Sequence, residues 1–207
     1  MTDTKFLTRA DHVGSLLRPG MVKKARQKFF DEKTITQEEL KKIEDRAIHD
    51  LIEMQEEIGL DIVTDGEARR SFWHYDFMEG INGLDLVERN EGVQFSGIKL
   101  RPIFPVINDR LTFPKSHPMI SHFNYVANKT FKIPKISIPG PSCCHFRTAL
   151  QDIRYEPYRD TNVLFQDLIK TYSSAVNAFY DAGCRYLQLD DIFFAYLCDP
   201  KHREAKK

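Results

Sequence analysis

The sequence lacks an excess of charge of either sign, a long apolar run and a leader-like N-terminus. Its 207 residues hold 30 Lys and Arg against 30 Asp and Glu, so a zero formal net charge argues against electrostatically driven binding to nucleic acid or to an anionic membrane. No run of about 18 apolar residues occurs, so no transmembrane helix is predicted. Residues 1–5 lack the basic and then apolar pattern of a signal peptide, and a cytoplasmic location is expected.

Cysteine is scarce as well. The four cysteines, Cys143, Cys144, Cys184 and Cys198, include no C-x-x-C pair, so they indicate neither a disulfide framework nor a closed zinc site. What the chain does have is 42% hydrophobic and 12% aromatic residues, a composition that predicts a packed core. The length alone allows one domain or two small ones.

Two long amphipathic helices are predicted from apolar residues at spacings of three and four. The first covers residues 36–58, where Thr36 and Glu39 fit a capping box and Gly59 can end the helix. The second covers residues 161–182 and is followed by Gly183. A shorter helix is predicted at residues 21–31.

Each long helix is followed by a short apolar run and then by carboxylates, a rhythm typical of α/β folds. These runs, residues 61–65 and 184–190, are predicted strands, and side chains at the carboxyl ends of barrel strands face the active site. Further strands are predicted at residues 9–14, 119–126 and 135–138, which makes about five βα units. Residues 92–118 hold four prolines among β-formers and are predicted to form an extended excursion or hairpin.

The first candidate site consists of carboxylates at the ends of two strands: Asp65, Glu67, Asp190 and Asp191. If both strands belong to one sheet, these groups share an edge and could bind a substrate amine or position a proton donor. The alternative is that Asp65 and Asp191 cap the helices that follow them. Gln188 and Asp190 fall on one face of their strand, and a polar pair on an inner face implies a ligand or an internal network.

Three other segments have competing interpretations. The amides of Gly14 and Ser15 could cradle a carboxylate, or they could form an ordinary βα turn. Residues 139–146 bring Cys and His together, but adjacent cysteines are poor co-ligands, so a turn that shapes a pocket wall is favoured over a metal site. Residues 69–75 alternate basic and aromatic side chains that could stack a flat ring or single-stranded nucleic acid, or could form a helix that buries Trp73 and Phe77.

Four ordered motifs together resemble one known family. They are RADHVGSLLRP at residues 9–19, EIGLDIVTDGE at residues 57–67, IPGPS at residues 138–142 and YLQLDD at residues 186–191. The chain resembles cobalamin-independent methionine synthase, and in particular its short single-domain relatives, which match the catalytic C-terminal barrel. The resemblance implies an α/β fold, here a partial (β/α)8 TIM barrel, with residues 1–207 as the N-terminal portion of a methionine synthase-like barrel domain.

The resemblance also implies an activity and a site. The expected reaction is methyl transfer from a 5-methyltetrahydrofolate-like donor to the thiol of homocysteine, with zinc favouring the thiolate. By motif, Val13, Gly14 and Ser15 correspond to the segment that holds the amino acid, and Glu67 and Asp190 match carboxylates suited to its ammonium. Asp191 and Ile192 replace the family's Glu-Pro, and the usual tryptophan after residues 140–141 is missing, which leaves the identity of the methyl donor open.

The family's zinc ligands, a His-x-Cys followed by a Glu and a Cys, come from strands six to eight, which this chain does not reach. We therefore expect no metal ligands in it, and either self-association or pairing with a missing C-terminal half. The partners expected are small molecules, with no nucleic acid and no membrane. The alternatives are a non-catalytic module that binds an amino acid or thiol, and another barrel chemistry such as decarboxylation of a tetrapyrrole.

Overall fold

A computed structural model describes residues 10–89, 94–95, 98–99 and 102–204 of the chain. Its helices are α1 (Gly20–Phe30), α2 (Gln37–Glu57), α3 (Tyr75–Met78), α4 (Pro118–Ala127), α5 (Ser142–Arg147), α6 (Thr161–Asp181) and α7 (Pro200–Glu204). Its strands are β1 (Ile62–Val63), β2 (Asn82–Glu88), β3 (Gln94–Phe95), β4 (Ile98–Lys99), β5 (Ile103–Thr112), β6 (Ile133–Pro139) and β7 (Tyr186–Asp190). Short 3-10 turns occur at Leu150–Asp152, Glu156–Arg159 and Ile192–Cys198.

The described residues fall into two compact units. The first comprises those within Met1–Arg70, Met119–Ser137 and Phe179–Gln188, and the second those within Ser71–Pro118, Ile138–Ala178 and Leu189–Lys207. The strands β6 and β7 and the helix α6 therefore pass from one unit to the other.

The first unit is built on the capped helix α2. Thr36 accepts a hydrogen bond from the Glu39 amide at 3.2 Å, and the Glu39 carboxylate accepts one from the Thr36 amide at 2.8 Å, which satisfies two amides that the helix itself leaves unpaired. One apolar face of this helix enters a core cluster of the unit. The cluster contains Ile48, Ile52, Val63, Ala68 and Val126.

A three-stranded sheet has the order β1-β6-β7. The strands β1 and β6 are parallel, with Ile62 opposite Ile133 and Val63 opposite Pro134. Along β6, Lys135 and Ser137 take one face, and both side chains are buried, which is unusual for such polar groups. This polar face of β6 supplies part of the candidate site described below.

The second unit contains an antiparallel ribbon. The strands β2 and β5 pair from Asn82 opposite Thr112 to Glu88 opposite Ile103, with an irregularity between Asn82 and Leu84. The guanidinium of Arg110 binds the carboxylate of Asp167 on α6 through two contacts of 3.0 and 2.9 Å. This paired geometry fixes the end of the ribbon to the helix.

Several predicted elements are confirmed. The α/β class, the two long helices and the strands at β6 and β7 are present within a residue or two of their predicted bounds. Within residues 92–118, the described part includes β5, which pairs with β2 as a hairpin-like ribbon, whereas residues 92–93, 96–97 and 100–101 lie outside the described residues. The assignment of residues 1–207 to the N-terminal portion of a barrel domain stays a prediction.

Two predicted strands are wrong where the structure describes them. Residues 119–126 form the helix α4, because Met119, Phe123 and Val126, at spacings of four and three, are its buried positions. Residues 10–14 form no strand, and Arg9 lies outside the described residues. Among the described residues, no helix is both long enough and apolar enough to cross a bilayer.

Candidate functional site

The main candidate site lies in the first unit, where the chain at Gly14 meets the turn after β1. Gly14 is buried, and a Cβ placed on it would lie 2.7 Å from both the Glu67 Oε1 and the Ser137 Oγ atoms. Only glycine therefore lets the backbone approach this carboxylate so closely. Val13 is 70% exposed and Ser15 is exposed, so of the three predicted residues only Gly14 is packed against Glu67.

Side chains and turns, rather than a strand ladder, engage the backbone around Gly14. The Thr64 hydroxyl donates to the Gly14 carbonyl at 3.3 Å, and the Leu16 amide donates to the Gly66 carbonyl at 3.0 Å. The ammonium of Lys135 donates to the His12 carbonyl. Because these groups take up the backbone's hydrogen-bonding capacity, the segment is held in place without joining the sheet, which explains the wrong strand prediction.

The turn that carries Glu67 has an unusual backbone. Gly66 has φ +64° and Glu67 has φ +56°, so both residues adopt left-handed conformations. For a residue with a side chain, such a conformation costs about 1–3 kcal/mol. Asp65 compensates, since its Oδ1 accepts the Glu67 amide at 2.9 Å, and Thr64 Oγ1 accepts the Gly66 amide at 3.0 Å. Asp65 thus shapes the turn that carries Glu67. Residues 66–69 form a turn and not a helix, so Asp65 does not cap a following helix as the alternative predicts.

The carboxylate of Glu67 is buried and firmly held. Ser137 Oγ donates to its Oε1 at 2.9 Å, and one guanidinium nitrogen of Arg70 lies 3.3 Å from the same oxygen. Another nitrogen of Arg70 donates to the Ser137 carbonyl at 2.5 Å, and Arg18 donates to the Arg70 carbonyl. Glu67 and Arg70 are 6% and 2% exposed, so this is a buried ion pair whose hydrogen bonds offset the cost of desolvation.

A second charged group lies on the same face of β6. Lys135 is 1% exposed, and its ammonium is 2.6 Å from Asp11 Oδ2 and 4.8 Å from the centre of the Tyr186 ring. The Tyr186 hydroxyl donates to the same Asp11 oxygen at 2.8 Å. The hydrogen bond from Lys135 is the main cause that lowers the pKa of Asp11, whereas the hydrogen bond to Asp11 raises the pKa of Tyr186.

Several of these residues were not predicted from the sequence. Arg18, Lys135 and Ser137 are not among the predicted site residues, and Arg70 is predicted only as part of the basic and aromatic segment at residues 69–75. Lys135 and Ser137 alternate with apolar residues in β6. That alternation is a usable signal, because two polar side chains on one face of a buried strand require partners. Arg70 gave no such signal, since it stands beside Arg69, which instead binds Glu44 at 3.4 Å and also Asp45 on α2.

Asp190 and Asp191 belong to the second unit. Asp190 is half-buried at the end of β7, and its carbonyl accepts the Gly140 amide at 2.8 Å. Its position relative to Glu67 stays a prediction. Asp191 begins the 3-10 turn that follows, since its Oδ1 accepts the Phe193 amide at 3.3 Å and the Ser142 hydroxyl. The capping alternative for Asp191 is therefore confirmed.

The Cys-rich segment does not offer a metal site. Cys143 and Cys144 lie on α5 and are fully buried, and burial raises the pKa of both thiols, that of Cys144 to about 12. Each sulfur faces a protein group: Cys143 Sγ lies 3.7 Å from Met78 Sδ, and Cys144 Sγ lies 3.9 Å from the Tyr172 hydroxyl oxygen. In the part of the chain that the structure describes, no three His, Cys, Asp or Glu side chains are grouped to hold a metal ion, so these residues do not fit the zinc that the resemblance implies.

The basic and aromatic segment at residues 69–75 is used inside the fold. Phe77 is buried in α3 and Trp73 is half-buried before it, which agrees with the structural alternative. The ring of His74 stacks on those of Trp73 and Tyr75, with centroids 4.6 and 3.9 Å away. Both His74 ring nitrogens are buried without a hydrogen-bond partner among the described residues, and burial, aided by Arg147, lowers the pKa of His74 to about 3.

Known proteins of similar sequence share most of this chain. The chain is 43% identical over 201 residues to the uncharacterised Bacillus subtilis protein YxjH, covering 95% of this chain and 51% of that protein. It is 28% identical over 163 residues to the 5-methyltetrahydropteroyltriglutamate–homocysteine methyltransferase of Saccharomyces cerevisiae, covering 78% and 20% of the two chains. The chain thus spans about half the length of YxjH and of the related YxjG, of which 50% is covered.

Solved structures are similar as well. One, from Listeria monocytogenes, was determined as a candidate vitamin-B12-independent methionine synthase; it matches with a TM-score of 0.77 and 40% identity over 92% of this chain and 54% of that one. This likeness confirms the predicted α/β class and the partial-barrel architecture. A family model described as the catalytic domain of cobalamin-independent synthase matches residues 7–206. The chain therefore belongs to the cobalamin-independent synthase catalytic-domain family, whose named members here are methyltransferases.

Proposed function

We propose that the chain supplies the amino-acid-binding part of a methyltransferase that converts homocysteine to methionine. In this reaction a bond forms between the homocysteine sulfur and the methyl carbon, and the bond from that carbon to a nitrogen of a 5-methyltetrahydrofolate-like donor breaks. The thiol loses its proton, and the donor nitrogen ends with a proton in place of the methyl group, so the overall reaction balances. Family membership and the names of the more distant relatives support this proposal.

The observation that carries the proposal is the buried Glu67 carboxylate beside the backbone of Gly14. A carboxylate is the natural partner of a substrate ammonium, and the missing side chain at Gly14 lets the backbone lie directly against this carboxylate. Ser137 and Arg70 hold Glu67 in a single orientation, so little ordering remains to be done when a substrate binds. A substrate ammonium would join Arg70 as a second cation beside this carboxylate.

In this proposal the roles of the remaining residues follow the family motif. Val13, Gly14 and Ser15 hold the amino acid through backbone groups and the Ser15 hydroxyl, and Asp190 is a second acceptor for the ammonium. The described residues do not fit a zinc ion, so the roles proposed for them are to bind and orient the substrate, and no step is assigned to a metal. The substrates are small molecules, and the cytoplasm remains the predicted location.

The test is calorimetric titration of the parent chain and of Glu67→Gln with homocysteine and with 4-mercaptobutyrate, which lacks the amino group. This substitution keeps the size of the side chain but removes its charge. We expect Glu67→Gln to bind homocysteine about tenfold more weakly or worse, because a hydrogen bond between two charged groups is lost. Binding of 4-mercaptobutyrate should be unchanged.

The matched control is Glu57→Gln, which makes the same chemical change at an exposed residue at the end of α2. It should bind both ligands as the parent does. Equal homocysteine affinity in Glu67→Gln and in the parent, or no binding by the folded parent, would refute the site. Binding by the parent without any methionine formed when a methyl donor is supplied would favour the non-catalytic alternative.

A further inference from the structure

Lys135 is a buried cation in β6, a strand that also contributes Ile136 and Ile138 to the core. Only 1% of this lysine is exposed. Removing an ammonium from water is costly, so a lysine occupies such a position only where fixed partners offset its desolvation. The identity of those partners therefore indicates what Lys135 contributes to the folded chain.

The partners of Lys135 belong to the segment that leads to Gly14, and all of them lie in the first unit. The lysine ammonium donates to the backbone carbonyl of His12 and lies 2.6 Å from Asp11 Oδ2. The hydroxyl of Tyr186 donates to the same carboxylate oxygen at 2.8 Å. A lysine suits this arrangement because its ammonium has three donors, which can bind a carbonyl and a carboxylate together. The lysine thus fixes two consecutive residues of a segment that forms no strand of its own.

The contacts of this segment with β6 follow a matched spacing. Lys135 binds the carbonyl of His12. Two residues farther along both segments, Ser137 lies against Gly14, where an added Cβ would be 2.7 Å from the serine Oγ. Side chains two residues apart share one face of a strand and are separated by about 7 Å. One polar face of β6 therefore fixes the segment through Lys135 and holds the Glu67 carboxylate through Ser137.

We propose that Lys135 is a positioning residue of the amino-acid site, which sets the place of the backbone at Gly14 and Ser15 relative to the Glu67 carboxylate. This inference rests on the proposed function, and it deepens it by assigning the two ends of the substrate to separate groups. The amides at Gly14 and Ser15 bind the substrate carboxylate, and Glu67 binds the substrate ammonium. Because Ser137 holds Glu67 independently, loss of Lys135 affects the carboxylate end alone.

The experiment measures which end of the substrate loses affinity when Lys135 is replaced. Calorimetry compares homocysteine with homocysteamine, which keeps the thiol and the amino group but lacks the carboxylate. The variant Lys135→Met keeps the length of the side chain without its donors. We expect it to bind homocysteine about tenfold more weakly or worse, because the backbone that receives the carboxylate is no longer preorganised. It should bind homocysteamine as the parent does, because Ser137 and Arg70 still hold Glu67.

The matched control is Lys132→Met, the same change at the residue before β6. Lys132 pairs with Asp61 at 3.0 Å, and 37% of its side chain is exposed. This control should bind both ligands as the parent does, since a surface ion pair contributes little. Circular dichroism of each variant checks that the chain remains folded.

A second measurement needs no ligand. The Leu16 amide donates to the Gly66 carbonyl, at the end of the segment that Lys135 fixes. We expect this amide to exchange with deuterated solvent about tenfold faster in Lys135→Met than in the parent, and at the parent rate in Lys132→Met.

The double variant Lys135→Met with Asp11→Asn keeps the test decisive if the single variant does not fold. It leaves no carboxylate without its cation, yet it still lacks the donor to the His12 carbonyl. It should therefore show the same selective loss of homocysteine affinity and the same faster exchange at Leu16.

Three outcomes would overturn the inference: unchanged homocysteine affinity in a folded variant that lacks Lys135, an equal loss for homocysteine and homocysteamine, or unchanged exchange at Leu16. The second outcome would mean that Lys135 only stabilises the fold. No homocysteine binding by the folded parent would instead refute the proposed function, and with it the substrate role of Lys135. A failure confined to the Lys135 variants leaves the proposed function standing, so the two can be told apart.

Discussion

The two units each gather a different kind of side chain at one place. In the first unit, charged groups are buried and each is matched, as Glu67 is by Arg70 and Ser137, and Lys135 by Asp11. In the second unit, apolar groups such as Ile169 and Phe194 remain exposed around a groove. A buried, paired charge is costly to disturb, whereas an exposed apolar side chain contributes little until something covers it. The first unit therefore holds buried charges in matched pairs, and the second leaves large apolar side chains exposed.

The strongest test of this contrast removes the Arg70 guanidinium, which is the cation of the buried ion pair in the first unit. In Arg70→Met, Glu67 would keep its charge in a buried setting without its counter-ion, so we expect the free energy of unfolding to fall by about 3–5 kcal/mol. Urea denaturation followed by circular dichroism measures this. The double variant Glu67→Gln with Arg70→Met should recover a large part of the loss, since no isolated charge remains. Purely additive effects would show that the pair is not coupled.

A pair of neighbouring residues on α6 sharpens the contrast in the second unit. Leu168 is 3% exposed and Ile169 is 59% exposed. We expect Leu168→Ala to lower the free energy of unfolding by about 2–5 kcal/mol through a core cavity. Ile169→Ala should change it by less than about 0.5 kcal/mol, as for other surface positions. Thermal and urea unfolding of the two single variants provide the test. Similar losses of unfolding free energy in both variants would mean that Ile169 is packed as tightly as Leu168.

The smallest expected effect concerns acid sensitivity and His74. Its pKa is about 3 in the folded chain, against an ordinary value of 6.5. Between these values the unfolded chain binds a proton that the folded chain does not, so stability is fully present above pH 6.5 and declines as the pH falls. From pH 7 to pH 5 we expect a loss of about 2 kcal/mol attributable to this residue.

The variant His74→Phe isolates that contribution. It keeps an aromatic ring between Trp73 and Tyr75 but cannot be protonated. The difference in unfolding free energy between pH 7 and pH 5 should therefore be smaller in the variant by about 2 kcal/mol. If parent and variant lose the same amount, His74 is not buried in its neutral form.

Much of the secondary structure was predictable because its causes are local. The capping pair Thr36 and Glu39 defines the start of α2, and period-three-and-four spacing defines α6. The same spacing occurs at residues 119–126, where the predicted strand is wrong. For Met119, Phe123 and Val126 the period, not the composition, was the better guide.

The site was predictable only in part. Motif resemblance selected Gly14 and Glu67, which the structure brings together, and also Val13 and Ser15, which are exposed. It did not select Arg70, Ser137 or Lys135. A residue contributes to the site only through the side chains that it contacts in the folded chain. Ser137, for example, is 70 positions away from Glu67 along the sequence.

The order of residues by itself determined the family, the long helices and the balance of charge, because each of these depends on composition or on short-range spacing. Only the tertiary structure decided which charges are buried together and which apolar side chains of α6 are left exposed. Both depend on contacts between segments that are far apart in the sequence. A charge can be buried there only where a partner from another segment offsets the cost of its desolvation.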